Sequence, residues 1–213
     1  MLILLLGLFL GFSRAAWGLA IASGGIFYLV LTINEQQACV RLKYVALSLV
    51  GLVAVVLMLA LAMQLETVSY LVGERFKIVQ DYDGSRLGRF ARLLIGFSLA
   101  LEKPWGIGPL RFSDYFVEDT HNILLKSLMA YGWIGFISWV TITIWTLAAG
   151  FKLLFRQRPW LPYFQVVYIV FFCHVLIGNV VDTDHWRHYY LLMGIVWGCI
   201  ALEARWRRQL AAG

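Results

Sequence analysis

Two groups of ionisable residues in the middle of the chain have the types and spacing that chemistry requires. Arg86, Arg89 and Arg92 recur at every third residue, so on a helix they share one face. Guanidinium groups bind phosphate oxygens through paired hydrogen bonds and remain charged. His121 follows the run Glu118-Asp119-Thr120, and an imidazole beside a carboxylate suits a general base that takes a proton from a hydroxyl. These residues predict an anion-binding group and a base.

Each group also has an ordinary interpretation. Arginines beside a membrane commonly bind lipid headgroups, and these three have Asp81, Asp83 and Glu102 as alternative ion-pair partners. A histidine at a membrane interface is more often solvated or hydrogen-bonded than catalytic. Ser13 and Arg14 place a single charge between two apolar runs, where the arginine either snorkels or binds an anion. The residue pattern alone leaves these alternatives open.

A second polar cluster occupies residues 182–188. Carboxylates and imidazoles are metal ligands, but this cluster matches no recognisable ligand spacing, so the sequence favours a solvated turn over a metal site. Its candidate ligands are Asp182, Asp184, His185 and His188. His174 lies inside an apolar run, and the favoured interpretation is an internally hydrogen-bonded side chain. No cofactor site is predicted.

The sequence around these groups is that of a membrane protein. Of 213 residues, 61% are hydrophobic and 14% are charged, whereas a soluble domain has about 25% charged residues. About 20 apolar residues in a helix cross the ~30 Å hydrocarbon core. Five long runs lack charge, namely 15–33, 44–63, 127–151, 160–181 and 188–202. The sequence therefore excludes a soluble domain and predicts an all-α, multi-pass transmembrane bundle.

Residues 1–12 count as a sixth, half-length span, because 12 residues of helix cover only about 18 Å. A signal peptide is disfavoured, since no basic region precedes the apolar run. We expect instead that the chain lacks an N-terminal part. The cysteines have no paired spacing, so neither a zinc site nor a disulfide framework is predicted for Cys39, Cys173 and Cys199.

The basic residues predict the orientation in the membrane. Lysines and arginines in short loops mark the cytoplasmic side, and three such groups fall on one side of the six segments: Arg41 and Lys43, then Lys152, Arg156 and Arg158, then Arg205, Arg207 and Arg208. The predicted divisions are transmembrane helices in 1–63, a large periplasmic loop in 64–121, and three transmembrane helices with a cytoplasmic tail in 122–213. The net charge of +6 is thus a topology signal and not a sign of nucleic-acid binding.

The large loop contains an amphipathic helix that must position the arginines. Ser85 is a candidate N-cap, and Pro104 predicts that the helix ends at Lys103. Residues Trp105–Pro109 then form a rigid turn, with two glycines where backbone can approach a ligand closely. The apolar stripe of this helix consists of Leu87, Phe90, Leu94, Phe97 and Leu101.

Four motifs, taken together, resemble those of the O-antigen ligase and polymerase family over nearly the whole chain. They are Ser13-Arg14-Ala-Ala-Trp17, Arg89-Phe-Ala-Arg-Leu93, Glu102-Lys-Pro-Trp-Gly-Ile-Gly-Pro109, and His121-Asn122 followed nine residues later by Gly132-Trp-Ile-Gly135. Two departures stand out. Phe136-Ile137 replaces a Thr-Gly that ligases often have. Full-length members also have about ten to twelve spans, whereas six are predicted for this chain.

The resemblance implies a metal- and nucleotide-independent glycosyltransferase in the bacterial inner membrane, with its active face in the periplasm. Its donor would be a glycan on undecaprenyl diphosphate, and its acceptor a hydroxyl of lipid A-core or of another glycan; membrane lipids would surround it. It further implies His121 as the base and Arg89 as the main diphosphate ligand, assisted by Arg14, Arg86 and Arg92 and supported by Asn122, Gly132 and Gly135. The alternatives are a polymerase of the same family, a polysaccharide transporter or flippase, and a noncatalytic scaffold.

Overall fold

The computed structural model of the protein describes residues 2–11, 13–76, 89–109, 111–115, 121–181, 183 and 186–212. Throughout these ranges the regular structure is helical and no strand occurs. The predicted all-α fold class is therefore confirmed. The chain forms two compact units, residues 1–80 and residues 81–213, which are described separately.

The first unit contains the helices α1 (Leu2–Leu10), α2 (Arg14–Asn34), α3 (Ala38–Ala62) and α4 (Glu66–Phe76), of which the first three are strongly apolar. Ser13 caps α2 by accepting a hydrogen bond from Ala16 N at 3.3 Å, and Trp17 Nε1 donates to Leu8 O at 3.1 Å, which joins α1 to α2. The helix α4 was not predicted from the sequence.

The second unit packs three long helices together and adds a shorter helix against the first of them. The shorter helix ends at Glu102, one residue before the predicted end at Lys103, whereas its proposed cap Ser85 lies outside the described residues. The elements are α5 (Arg89–Glu102), a 3₁₀ turn (Phe112–Asp114), α6 (Ile123–Phe151), α7 (Leu161–Ile177) and α8 (Arg187–Ala212).

Each of the six predicted spans coincides with a helix, but the helices differ in length. Among the described residues, α2, α3 and α6 are long and apolar enough to cross a membrane. The helix α1 has 9 residues and α7 has 17. The sequence predicted that the last span ends near Leu202. The helix α8 continues beyond this point to Ala212 and so includes the charged tail.

The helix α6 is broken by a sharp change of backbone direction at Gly132, where φ is 66° and ψ is −173°. Before the break, the side chains of Ile123, Leu125, Leu128 and Met129 are buried in protein. After it, residues 133–151 would measure about 28 Å as a helix, which matches the ~30 Å hydrocarbon core. The first turns of α6 thus belong to a protein core, and the remainder has the length of a span.

Candidate active site at the start of α6

The first turn of α6 is fixed to the end of α7 by hydrogen bonds. Asn122 caps α6, since its Oδ1 accepts from Leu125 N at 3.0 Å. The Nδ2 of Asn122 donates to Asn179 O at 3.2 Å, and Ile123 N donates to Gly178 O at 2.8 Å. Asn122, which the motif singled out as a supporting residue, therefore holds two helix ends together.

His121 directly precedes this capped turn, and its side chain is exposed. Its backbone has φ 51°, in the left-handed region. Few residues other than glycine adopt this region, although histidine, asparagine and aspartate do so more often than most. Because Asn122 and Ile123 are held by hydrogen bonds, the unusual φ sets the direction of the Cα–Cβ bond of His121. An exposed imidazole on a fixed stretch of backbone is suited to contact a substrate.

The helix α5 lies along α6 and runs in the same direction. A Cβ built on Gly96 would come within 2.9 Å of Met129 Sδ and 3.0 Å of Leu125 Cδ2, so the two helices approach closely there. Further along both helices, Trp133 N donates to Pro104 O at 3.0 Å. The buried cluster between them consists of Ala100, Phe112, Leu125, Leu128 and Met129.

This register determines where two of the predicted arginine positions fall along α6. Positions 92 and 89 precede Gly96 by four and seven residues, so on a helix of about 3.6 residues per turn they share its face, one and two turns earlier. Because α5 and α6 run in the same direction, the part of α5 that precedes Gly96 lies beside the start of α6, which His121 precedes. The fold therefore brings backbone positions 89 and 92 to the same end of α6 as His121.

The register of α5 on α6 gives no position for the other two arginine candidates. Arg86 lies outside the described residues. Arg14 belongs to the first unit, at the start of α2, where its side chain is exposed. The roles of Arg14, Arg86, Arg89 and Arg92 remain predictions.

The turn after α5 fills the break in α6. Ile107 N donates to Met129 O at 2.7 Å and Gly108 N donates to Ala130 O at 3.1 Å. In an unbroken helix these two carbonyls would accept from the amides four residues later. The loop supplies the donors that the break at Gly132 removes, so the third and fourth sequence motifs form one structural unit.

Glycine is required on both sides of this contact. A Cβ on Gly106, where φ is 83°, would lie 2.6 Å from Gly132 N and 2.7 Å from Ala130 O, and a Cβ on Gly132 would lie 2.5 Å from Pro104 O. A Cβ on Gly135 would collide with that of Tyr131. The sequence interpretation of Gly106 as an approach point for a ligand is therefore corrected: its close neighbour is the α6 backbone.

We expect Gly106→Ala to destabilise the protein more than Gly108→Ala. Both glycines have positive φ, 83° and 95°, so either alanine costs about 1 to 2 kcal/mol for the left-handed backbone. At Gly108 a Cβ meets only Arg111 Cγ, at 3.7 Å, whereas at Gly106 overpacking adds about 1 to 3 kcal/mol. Unfolding of the purified variants in detergent measures the difference, and equal losses would contradict the described contact.

The second polar cluster lies at the turn between α7 and α8. His174 makes the internal hydrogen bond that the sequence favoured, with Nδ1 donating to Val170 O at 2.7 Å. The rings of His188 and Trp186 lie near it, and the His174 and His188 centroids are 5.0 Å apart. Thr183 is buried. The remaining candidate metal ligands, Asp182, Asp184 and His185, lie outside the described residues.

The apolar helices define a helical membrane protein, and comparison with known families narrows the class. A family model described as O-antigen ligase matches residues 1–140, a range that contains all four motifs and the broken first part of α6. The chain belongs to the O-antigen ligase family, a family of membrane enzymes of the ligase and polymerase type. Neither the curated proteins nor the solved structures contain a match to this chain.

Proposed function

We propose that the protein transfers a glycan from undecaprenyl diphosphate to a sugar hydroxyl of lipid A-core or of another glycan chain. Family membership supports a membrane glycosyltransferase. The observation that carries the finer proposal is the register of α5 on α6, which brings positions 89 and 92 to the end of α6 that His121 precedes. A cation for a diphosphate and a base for a hydroxyl are the two groups that this reaction needs.

In the proposed reaction His121 removes the proton from the acceptor hydroxyl as its oxygen attacks the anomeric carbon. The new bond from carbon to oxygen forms while the bond from that carbon to the diphosphate breaks. The bonding electrons leave with undecaprenyl diphosphate. Because the hydroxyl attacks from the face opposite the diphosphate, the anomeric configuration inverts. Preorganised cations stabilise charge that develops on a leaving group, a role we give to Arg89 with assistance from Arg86, Arg92 and Arg14.

The proposed location is the inner membrane, with residues 64–121 on the periplasmic side. Basic residues support this orientation because they concentrate beyond the far end of α6, at Lys152, Arg156 and Arg158, and again in the tail of α8. His121 then lies outside, where lipid-linked glycans present their sugars. Base and cations are side chains in this proposal, so the transfer needs neither a metal nor a nucleotide.

A transfer assay with two acceptors tests the proposal. The purified protein, reconstituted in membranes with EDTA, receives a glycan on undecaprenyl diphosphate together with either lipid A-core or a second lipid-linked glycan. We expect a new glycosidic bond that survives EDTA. Product on lipid A-core identifies a ligase, and joined lipid-linked units identify a polymerase, which the departure at Phe136-Ile137 also allows.

Two results would contradict the proposal. One is the absence of a new glycosidic bond with both acceptors, although the protein is correctly inserted. The other is movement of intact lipid-linked glycan across the membrane without transfer, which would identify a transporter. Loss of transfer on adding EDTA would overturn the metal-independent mechanism alone.

A further inference from the structure

The end of the second unit that lies far from His121 carries a charge cluster with no part in the proposed transfer. Glu203 on α8 is only 4% exposed, although it lies beyond the uncharged run 188–202. Its carboxylate accepts hydrogen bonds from three arginines of two chain segments, namely Arg156, Arg158 and Arg207. We propose that this cluster binds the phosphate of an anionic phospholipid headgroup.

The hydrogen bonds of Glu203 hold the three guanidinium groups in fixed positions. Arg158 Nε donates to Oε2 at 2.7 Å and its Nη2 donates to Oε1 at 3.1 Å. Arg156 Nη1 and Arg207 Nε donate to the same Oε1 at 3.0 Å and 2.9 Å. The bonds from Arg158, and after them those from Arg156, lower the pKa of Glu203. The carboxylate therefore stays ionised and keeps the arginines in place.

The cluster has more positive charge than its carboxylate neutralises. One Glu203 faces three arginines, which leaves two positive charges uncompensated within the group. The arginine side chains are also accessible, at 37% for Arg156, 25% for Arg158 and 53% for Arg207. A guanidinium has five N–H donors, and the bonds of Arg156 and Arg207 to Glu203 use one donor each. A phosphate oxygen can therefore accept hydrogen bonds from groups that are already oriented.

Aromatic residues indicate that the anion is a lipid headgroup. The rings of Trp160 and Trp206 pack edge to face with their centroids 5.6 Å apart. The Arg158 guanidinium carbon lies 6.0 Å from the centroid of the Trp206 ring. Tryptophan is enriched at the depth of the lipid headgroups. Phe155, next to Arg156 in the chain, is 42% exposed and supplies apolar surface beside the cluster. Phosphate-binding arginines beside interfacial tryptophans and apolar surface match the chemistry of an anionic phospholipid.

Lipid binding to the purified full chain tests this site. The protein, in detergent micelles with equal amounts of phosphatidylglycerol and phosphatidylcholine, is analysed for the number of each lipid that it retains. We expect the wild type to retain phosphatidylglycerol preferentially. Arg207→Ala and Arg156→Ala should each weaken this binding about tenfold, which corresponds to the loss of one hydrogen bond to a charged group.

Arg208→Ala is the matched control, because it removes the same charge from the adjacent, exposed position of α8. It should retain phosphatidylglycerol as the wild type does. Equal losses in Arg207→Ala and Arg208→Ala would overturn the proposal in favour of a general effect of charge. Inorganic phosphate that displaces the lipid at equal concentration would overturn the assignment to a lipid headgroup. Arg207→Lys, which keeps the charge, should bind with intermediate strength and covers the case in which the alanine variant fails to fold.

Discussion

His121→Asn is expected to lower the rate of glycan transfer by about 10²- to 10⁴-fold, the usual cost of losing a positioned general base. Asparagine cannot accept the hydroxyl proton at neutral pH. It does tolerate a left-handed backbone better than most residues, so the φ of 51° at this position can be kept. Transfer by the reconstituted variant, relative to the wild type at equal protein, measures the effect.

The asparagine variant separates chemistry from backbone strain. His121→Ala should lose as much activity, but alanine at a positive φ also costs stability, about 1 to 2 kcal/mol. The comparison therefore includes unfolding in detergent, where His121→Asn should resemble the wild type and His121→Ala should not. Near-normal transfer by a correctly inserted His121→Asn protein would exclude His121 as the base.

Arg89→Ala is expected to reduce transfer by about 10²- to 10³-fold, the usual cost of removing a donor that stabilises developing charge. Arg89→Lys should restore little of this activity, because an ammonium cannot reproduce the paired hydrogen bonds of a guanidinium with phosphate oxygens. The same transfer assay, run with donor concentrations above and below half-saturation, separates donor binding from the chemical step.

Arg111→Ala provides the control for Arg89. Arg111 lies in the same predicted loop, precedes the 3₁₀ turn Phe112–Asp114 and is exposed. Its replacement removes one positive charge from the loop without touching the face of α5 that meets α6. We expect transfer close to that of the wild type. If Arg111→Ala loses as much activity as Arg89→Ala, the effect comes from the net charge of the loop and not from a diphosphate ligand.

The motif residues contribute to the fold as well as to the proposed chemistry. Asn122 caps α6 and binds the end of α7, and Gly106 packs against Gly132. Ser13 of the first motif caps α2. A loss of activity on replacing these residues would therefore not by itself identify a catalytic group. Comparison of stability and transfer in the same variants distinguishes the two contributions.

The sequence alone determined the helical class and the approximate helix positions. Uncharged apolar runs predicted each long helix, because only a helix satisfies backbone hydrogen bonds in lipid. Pro104 predicted that α5 ends at Lys103, within one residue of the observed end at Glu102. The N-cap roles of Ser13 and Asn122 were not predicted, although their signal is local, since each polar residue directly precedes an apolar helix. Local signals of this kind suffice wherever the cause of the structure is local.

Only the tertiary structure decided how the motifs meet. The glycines Gly106 and Gly132 are 26 residues apart, and no local pattern indicates that their backbones touch. The break in α6 also lies within an uninterrupted apolar run, where periodicity predicts one continuous helix. It exists because Ile107 N and Gly108 N supply hydrogen bonds from another segment. The surroundings of Glu203 also depend on contacts between distant segments, because two of its three arginine partners come from the segment between α6 and α7. Hydrogen bonds between distant segments depend on the packing of whole helices, and the order of residues in a short window does not contain that information.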